Sequence, residues 1–109
     1  MIWFILLEQG RELITVKALK LLQNADVIIY AGSLVNKEIL KYAPDSCAIY
    51  NSAEMDLEQI VDIMSKAYVQ GKNVIRLHTG DPSIFGAIRE QMGELERRNI
   101  EYEIIPGVS

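Results

Sequence analysis

Apolar runs rich in Val, Ile and Leu alternate along the whole chain with stretches whose apolar residues recur at helical spacing. Few folds satisfy that alternation. A strand flanked by amphipathic helices buries both faces, so the order strand, helix, strand builds βαβ units and a mainly parallel sheet. Strands are expected near residues 1–7, 26–30, 47–50, 73–77 and 101–105, giving a three-layer α/β fold around a five-stranded, mostly parallel sheet. Val, Ile and Leu with weak alternation suit strands covered on both faces.

Three helices fill the longer gaps. The first is expected over Leu13 to Gln23, with Leu13, Val16, Leu19 and Leu22 as its apolar stripe beside Lys17. In the second, Leu57, Ile60, Val61, Met64, Ala67 and Tyr68 share one face. Asp56 and Gln59 stand as N-cap and N3 of a capping box, and Gly71 marks the stop. The third begins after Asp81-Pro82 and runs through Ile84, Ile88, Met92 and Leu95 to about Arg98. At 109 residues, half of them hydrophobic, the chain supports one core and one domain, residues 1–109.

Charge and composition exclude several functions. A formal net charge of -4 with acids and bases dispersed gives no basic stripe for nucleic-acid phosphates. Met1 to Leu7 is apolar but too short to span a membrane, and it meets Glu8 where a signal peptide would still be hydrophobic. One cysteine, Cys47, makes no internal disulfide, and with one histidine, His78, it falls short of a zinc site. A reducing, cytoplasmic setting and no metal are expected. No glycine fingerprint follows strand one and no acidic residue ends strand two, which removes a dinucleotide-binding dehydrogenase.

Ligands of open α/β sheets bind beyond the carboxyl ends of the strands, so the loops after the strands are the places to look. Three stand out: Tyr30 to Asn36, His78 to Gly86, and Pro106 to Ser109. In the second, Gly80 permits close backbone approach, Pro82 suits a first helical turn, and the amides of Ser83 and Ile84 face a ligand. Asp81 reads either as a plain N-cap or as a ligand contact. Gly86 inside the first turns costs helix stability and hints at close approach by another group. The remaining singular residues take structural readings: His78 a satisfied hydrogen-bonding group, Cys47 packing, Trp3 and Phe4 core or domain-edge contacts, and Arg97-Arg98 a solvated helix end.

Three segments carry a family resemblance: Ala25-Asp-Val-Ile-Ile-Tyr-Ala-Gly-Ser-Leu-Val-Asn36, Arg76-Leu-His-Thr-Gly-Asp-Pro-Ser-Ile-Phe-Gly-Ala-Ile-Arg-Glu-Gln91 and Pro106-Gly-Val-Ser109. With Glu12-Leu-Ile-Thr-Val-Lys17 they cover nearly the whole chain. The chain resembles the tetrapyrrole methyltransferases, and within them the precorrin-4 and cobalt-precorrin-4 C11-methyltransferases. The resemblance implies a two-domain, homodimeric α/β enzyme with S-adenosylmethionine in the cleft between domains, a corrin precursor as substrate, and a second domain beyond Ser109. Residue by residue, it places Gly80, Asp81, Ser83, Ile84, Phe85 and Ser109 at the cofactor and Tyr30 and Ser33 at the substrate trough. It assigns no catalytic side chain.

One departure stands against this. Members of the family follow strand one with a loop of the form glycine-alanine-glycine-proline-glycine-aspartate, whereas Ile5-Leu-Leu-Glu-Gln-Gly10 occupies that stretch here. Bulky side chains there obstruct a trough, and glycine-only conformations become costly. The alternative is a non-catalytic α/β module that dimerises or binds a ligand weakly.

Overall fold

A computed structural model describes residues 1–7, 14–31, 37–79 and 85–106 of the chain. Five strands form one sheet: β1 (Ile2–Leu7), β2 (Val27–Tyr30), β3 (Ala48–Asn51), β4 (Val74–Thr79) and β5 (Tyr102–Pro106). Every pairing is parallel and the order is β3-β2-β4-β1-β5. The helices are α1 (Val16–Gln23), α2 (Leu57–Val69) and α3 (Phe85–Arg97), with 3-10 turns at Lys37–Tyr42 and Ser52–Glu54. Each strand lies within two residues of its expected place.

The order of strands dictates the layers. From β1 to β3 the chain moves toward one edge, and from β3 to β5 it moves toward the other. Right-handed crossovers therefore put the two sets of connections on opposite faces. Accordingly Ala18 and Leu22 of α1 and Ile39 pack on Ile5, Leu7, Ile28, Ile75 and Leu77. On the other face Ile60, Val61 and Met64 of α2 and Ile88 and Leu95 of α3 pack on Ile2, Phe4, Val27, Ile29 and Val74. Phe4 also meets Tyr102 edge to face, with ring centroids 5.7 Å apart.

Local chemistry sets the helix ends. Asp56 accepts from the Gln59 amide at 2.8 Å while Gln59 Oε1 accepts from the Asp56 amide at 3.0 Å, completing the expected capping box of α2. Gly71 then turns the chain at φ +76°, a left-handed conformation that needs no side chain.

Four expectations change. Helix α1 starts at Val16, not Leu13, because Thr15 is its N-cap and accepts from the Ala18 amide at 3.2 Å. Its buried stripe is Ala18 and Leu22, while Val16 is 68% exposed. Strand β3 is not covered on both faces: all four of its residues are exposed, because it is an edge strand and α2 returns from it toward β4. Arg98 is not simply solvated, since its guanidinium reaches Asp62 at 2.9 Å and Ser65 at 3.0 Å and ties the end of α3 to α2.

Candidate functional site

The sheet has a switch point. Strands β1 and β4 are neighbours, yet the chain leaves β1 for β2, beyond β4, and leaves β4 for β5, beyond β1. Connections departing to opposite sides open a crevice over the carboxyl ends of these two strands, the place where open α/β sheets bind ligands. Its floor is the last register pair, Leu7 with Thr79.

Of the site residues singled out from the sequence, Tyr30 and Phe85 lie among the described residues. Phe85 is the first residue of α3, so residues 80–84 join the end of β4 to that helix. Gly80, Asp81, Ser83, Ile84, Ser33 and Ser109 themselves lie outside the described residues. Tyr30 ends β2, is partly buried, and packs on the α1 side. Its carbonyl accepts from Ser52 Oγ at 3.1 Å, so a buried serine from the turn after β3 fixes the end of β2.

The strand-one departure takes a different form in three dimensions. Ile5 and Leu7 are buried core residues of β1, paired with Leu77 and Thr79, and do not project into a loop. Leu6, between them, lines a cavity. This cavity, about 430 Å³ and mostly apolar, is bounded by Leu6, Gly86, Ile88, Arg89, Met92 and Ile104. It opens under α3 beside the switch point. A methyl group built on Gly86 would meet nothing within 4 Å, so protein packing does not demand the glycine; open space lies there instead.

Beneath the crevice sits a polar cluster of which the sequence reading singled out His78 alone. Arg76 and His78 alternate with apolar residues on β4, so both point to the α2/α3 face, where they are 2% and 3% exposed. Arg76 Nε donates to Gln91 Oε1 at 3.0 Å and Nη1 donates to the Ile29 carbonyl at 3.2 Å. Gln91, on α3, is itself buried. Both partners are uncharged, and burial pushes the Arg76 guanidinium down to about 10, which leaves it a cation at neutral pH.

His78 departs from its structural reading as a satisfied group. Among the described residues neither ring nitrogen has a hydrogen-bond partner. Burial, reinforced by the Arg76 charge, pushes the imidazole down to about 3, so the ring is neutral with one donor and one acceptor. Leaving a buried polar group unsatisfied costs about 1–3 kcal/mol, a cost that proteins concentrate at functional places. Two polar residues two apart in an apolar strand were the available signal. Among the described residues no group of three or more His, Cys, Asp or Glu could hold a metal, and no helix is long and apolar enough to cross a membrane.

Comparison with known proteins places this geometry. A sequence model of the tetrapyrrole (corrin/porphyrin) methylases matches residues 9–109, beginning after the end of β1. A cobalt-precorrin-4 C(11)-methyltransferase of Methanocaldococcus jannaschii is 62% identical over 98 residues, which is 90% of this chain and 38% of that protein. A precorrin-4 C(11)-methyltransferase of Pseudomonas aeruginosa is 47% identical over 98 residues, covering 90% of this chain and 39% of its own length. The chain thus spans about two-fifths of the length of these relatives. Among solved structures, a cobalt precorrin-4 methyltransferase superposes with a TM-score of 0.85 at 42% identity over 99% of this chain and 46% of that one. A uroporphyrin-III C-methyltransferase of Thermus thermophilus, complexed with S-adenyl homocysteine, gives 0.72 at 28% identity over 100% of this chain and 46% of that one. On the matched sequence and the shared five-stranded parallel sheet, the chain belongs to the tetrapyrrole (corrin/porphyrin) methylases.

Proposed function

We propose that the chain serves as the N-terminal domain of a two-domain enzyme that methylates C11 of precorrin-4 or cobalt-precorrin-4 in cobalamin biosynthesis, using S-adenosylmethionine in a cytoplasmic homodimer. The observation that carries this is the 62% identity, over 98 residues, to a cobalt-precorrin-4 C(11)-methyltransferase. When bound, S-adenosylmethionine supplies an activated methyl group on its sulfonium. The residues present suit a polar, uncharged part of such a ligand, because a buried imidazole beside the crevice offers a donor and an acceptor not used among the described residues. Residues 80–85 and Ser109 hold the cofactor, and Tyr30 and Ser33 border the substrate trough.

The chain's contribution is positioning. Aligning a nucleophilic ring carbon with the methyl carbon and the departing sulfur replaces a random encounter by a fixed geometry, and no covalent enzyme intermediate is needed. A dry wall helps, because the sulfonium charge is dispersed as the transition state forms and a weakly solvating site disfavours the reactant more. Leu6 of β1, with Ile88, Met92 and Ile104 around the adjoining cavity, provides such a wall.

Calorimetry tests the proposal. In a protein lengthened through the second domain, Asp81→Ala weakens S-adenosylmethionine binding, while Asp81→Asn separates capping from charge because asparagine caps nearly as well. The 109-residue chain alone does not saturate at millimolar ligand, since one wall of a cleft forfeits contacts while the ordering cost of association remains. Tight stoichiometric binding by the chain alone would refute the half-site. The second reading, a non-catalytic module, is favoured by the strand-one segment, where the family match begins only at residue 9. A lengthened protein with no affinity for S-adenosylmethionine would establish it.

A further inference from the structure

His78 combines three features that structural roles do not reconcile. It is 3% exposed, yet neither ring nitrogen finds a partner among the described residues. It lies at the crevice: its register partner on β1 is Leu6, one residue short of the strand end, whereas the pairing of β2 with β4 stops at Tyr30 and Leu77. On the β2 side, therefore, no paired strand flanks it. It also follows Arg76 on the same face, a buried cation whose bonds among the described residues go to uncharged groups.

We propose that His78 is a ligand-contacting residue of the β1/β4 crevice, hydrogen-bonding the neutral nucleoside half of the bound cofactor through a group that can both donate and accept, such as a ribose hydroxyl. This rests on the function proposed above and names a contact within it. The neighbouring Arg76 charge disfavours a cationic group at this place, so the ammonium and sulfonium of the methionine half lie elsewhere. An unprotonated imidazole offers one donor and one acceptor, and a hydroxyl can meet either. A carboxylate can meet only the donor and would face the lone pair on the other nitrogen when the ring turns.

The chain contains a single histidine, so imidazole nitrogen resonances report on His78 without assignment. Nuclear magnetic resonance also reads weak binding in fast exchange, which suits a chain that carries half a cleft. Titration with S-adenosylhomocysteine, and separately with adenosine, is expected to move the unprotonated ring nitrogen upfield together with the backbone amides of β4. L-Methionine is expected to leave the ring nitrogens in place. His78→Gln, which retains a donor and an acceptor, keeps most of the amide response, while His78→Leu weakens adenosine binding by about five- to tenfold.

The outcomes separate the claims. If the β4 amides respond to S-adenosylhomocysteine and the His78 ring does not, the contact is refuted and the cofactor site stands. A ring response to methionine but not to adenosine refutes the nucleoside assignment. No response anywhere, including in a protein lengthened through the second domain, refutes the cofactor reading and this contact with it. Should His78→Leu fail to fold, the ring shifts of the unaltered chain and the His78→Gln titration decide the matter.

Discussion

Replacing Gln91 by leucine isolates the energetics of the buried cation beneath the crevice. Gln91 Oε1 accepts from Arg76 Nε at 3.0 Å, and among the described residues the other guanidinium bond runs from Nη1 to the Ile29 carbonyl. A hydrogen bond to a charged group contributes about 1.5–3 kcal/mol, and its loss here leaves a charged donor facing apolar surroundings. Leucine recovers part of this by burying apolar surface in place of an amide, so Gln91→Leu should destabilise the chain by about 2 kcal/mol. Arg76→Met removes the charge but strands Gln91 Oε1. The double variant leaves no stranded amide oxygen and also escapes the desolvation of a buried ion. Its total loss should therefore fall short of the sum of the single losses by about 1–3 kcal/mol. Urea unfolding of the four proteins, with midpoints compared at a common slope, measures this coupling. A Gln91→Leu variant within about 0.5 kcal/mol of the parent, or strict additivity in the cycle, would show that the 3.0 Å bond does not stabilise the buried cation.

Three further outcomes follow from local features. The folded-state pKa of His78, about 3, lies below its ordinary 6.5, so across that window the unfolded chain binds more protons; stability is fully present above about pH 6.5 and declines as pH falls toward 3. At 1.36 kcal/mol per unit the decline from this group is on the order of a few kcal/mol, and urea unfolding of His78→Gln against pH should show a shallower loss. Asp56→Ala removes the N-cap and one arm of the capping box of α2 and should cost about 1 kcal/mol, read as a lower urea midpoint. Gly71→Ala meets no atom within 4 Å but must hold φ +76°, so thermal unfolding should reveal a backbone cost of about 1 kcal/mol with no packing component.

How much of this was legible depends on the range over which each signal acts. The capping box at Asp56 and Gln59 and the stop at Gly71 are complete within a few residues, and both appear in the structure as expected. The start of α1 was misplaced because Leu13 and Ile14 continue the apolar character of the helix, while the Thr15 side chain already caps it. Exposure of Ile49 and Tyr50 could not be read from composition, since an edge strand and a central strand can share the same residues. The candidate site divides the same way. The family resemblance gave the segment around Gly80 and Asp81, whereas Arg76, Gln91 and Ser52 emerged only when distant segments met.

By itself the sequence determined the class of fold and the family: apolar runs at strand length and stripes at helical spacing leave little but a parallel α/β sheet, and the motifs between them select the tetrapyrrole methylases. Tertiary structure alone decided the order β3-β2-β4-β1-β5 and with it the switch point, because neighbours in a sheet are chosen by long-range pairing. It also decided that Arg76, 15 residues from Gln91 and 47 from Ile29, finds both beneath the crevice, and that His78 finds no partner among the described residues. Periodicity reports which face a residue points to; what waits on that face is set by elements far away in the chain.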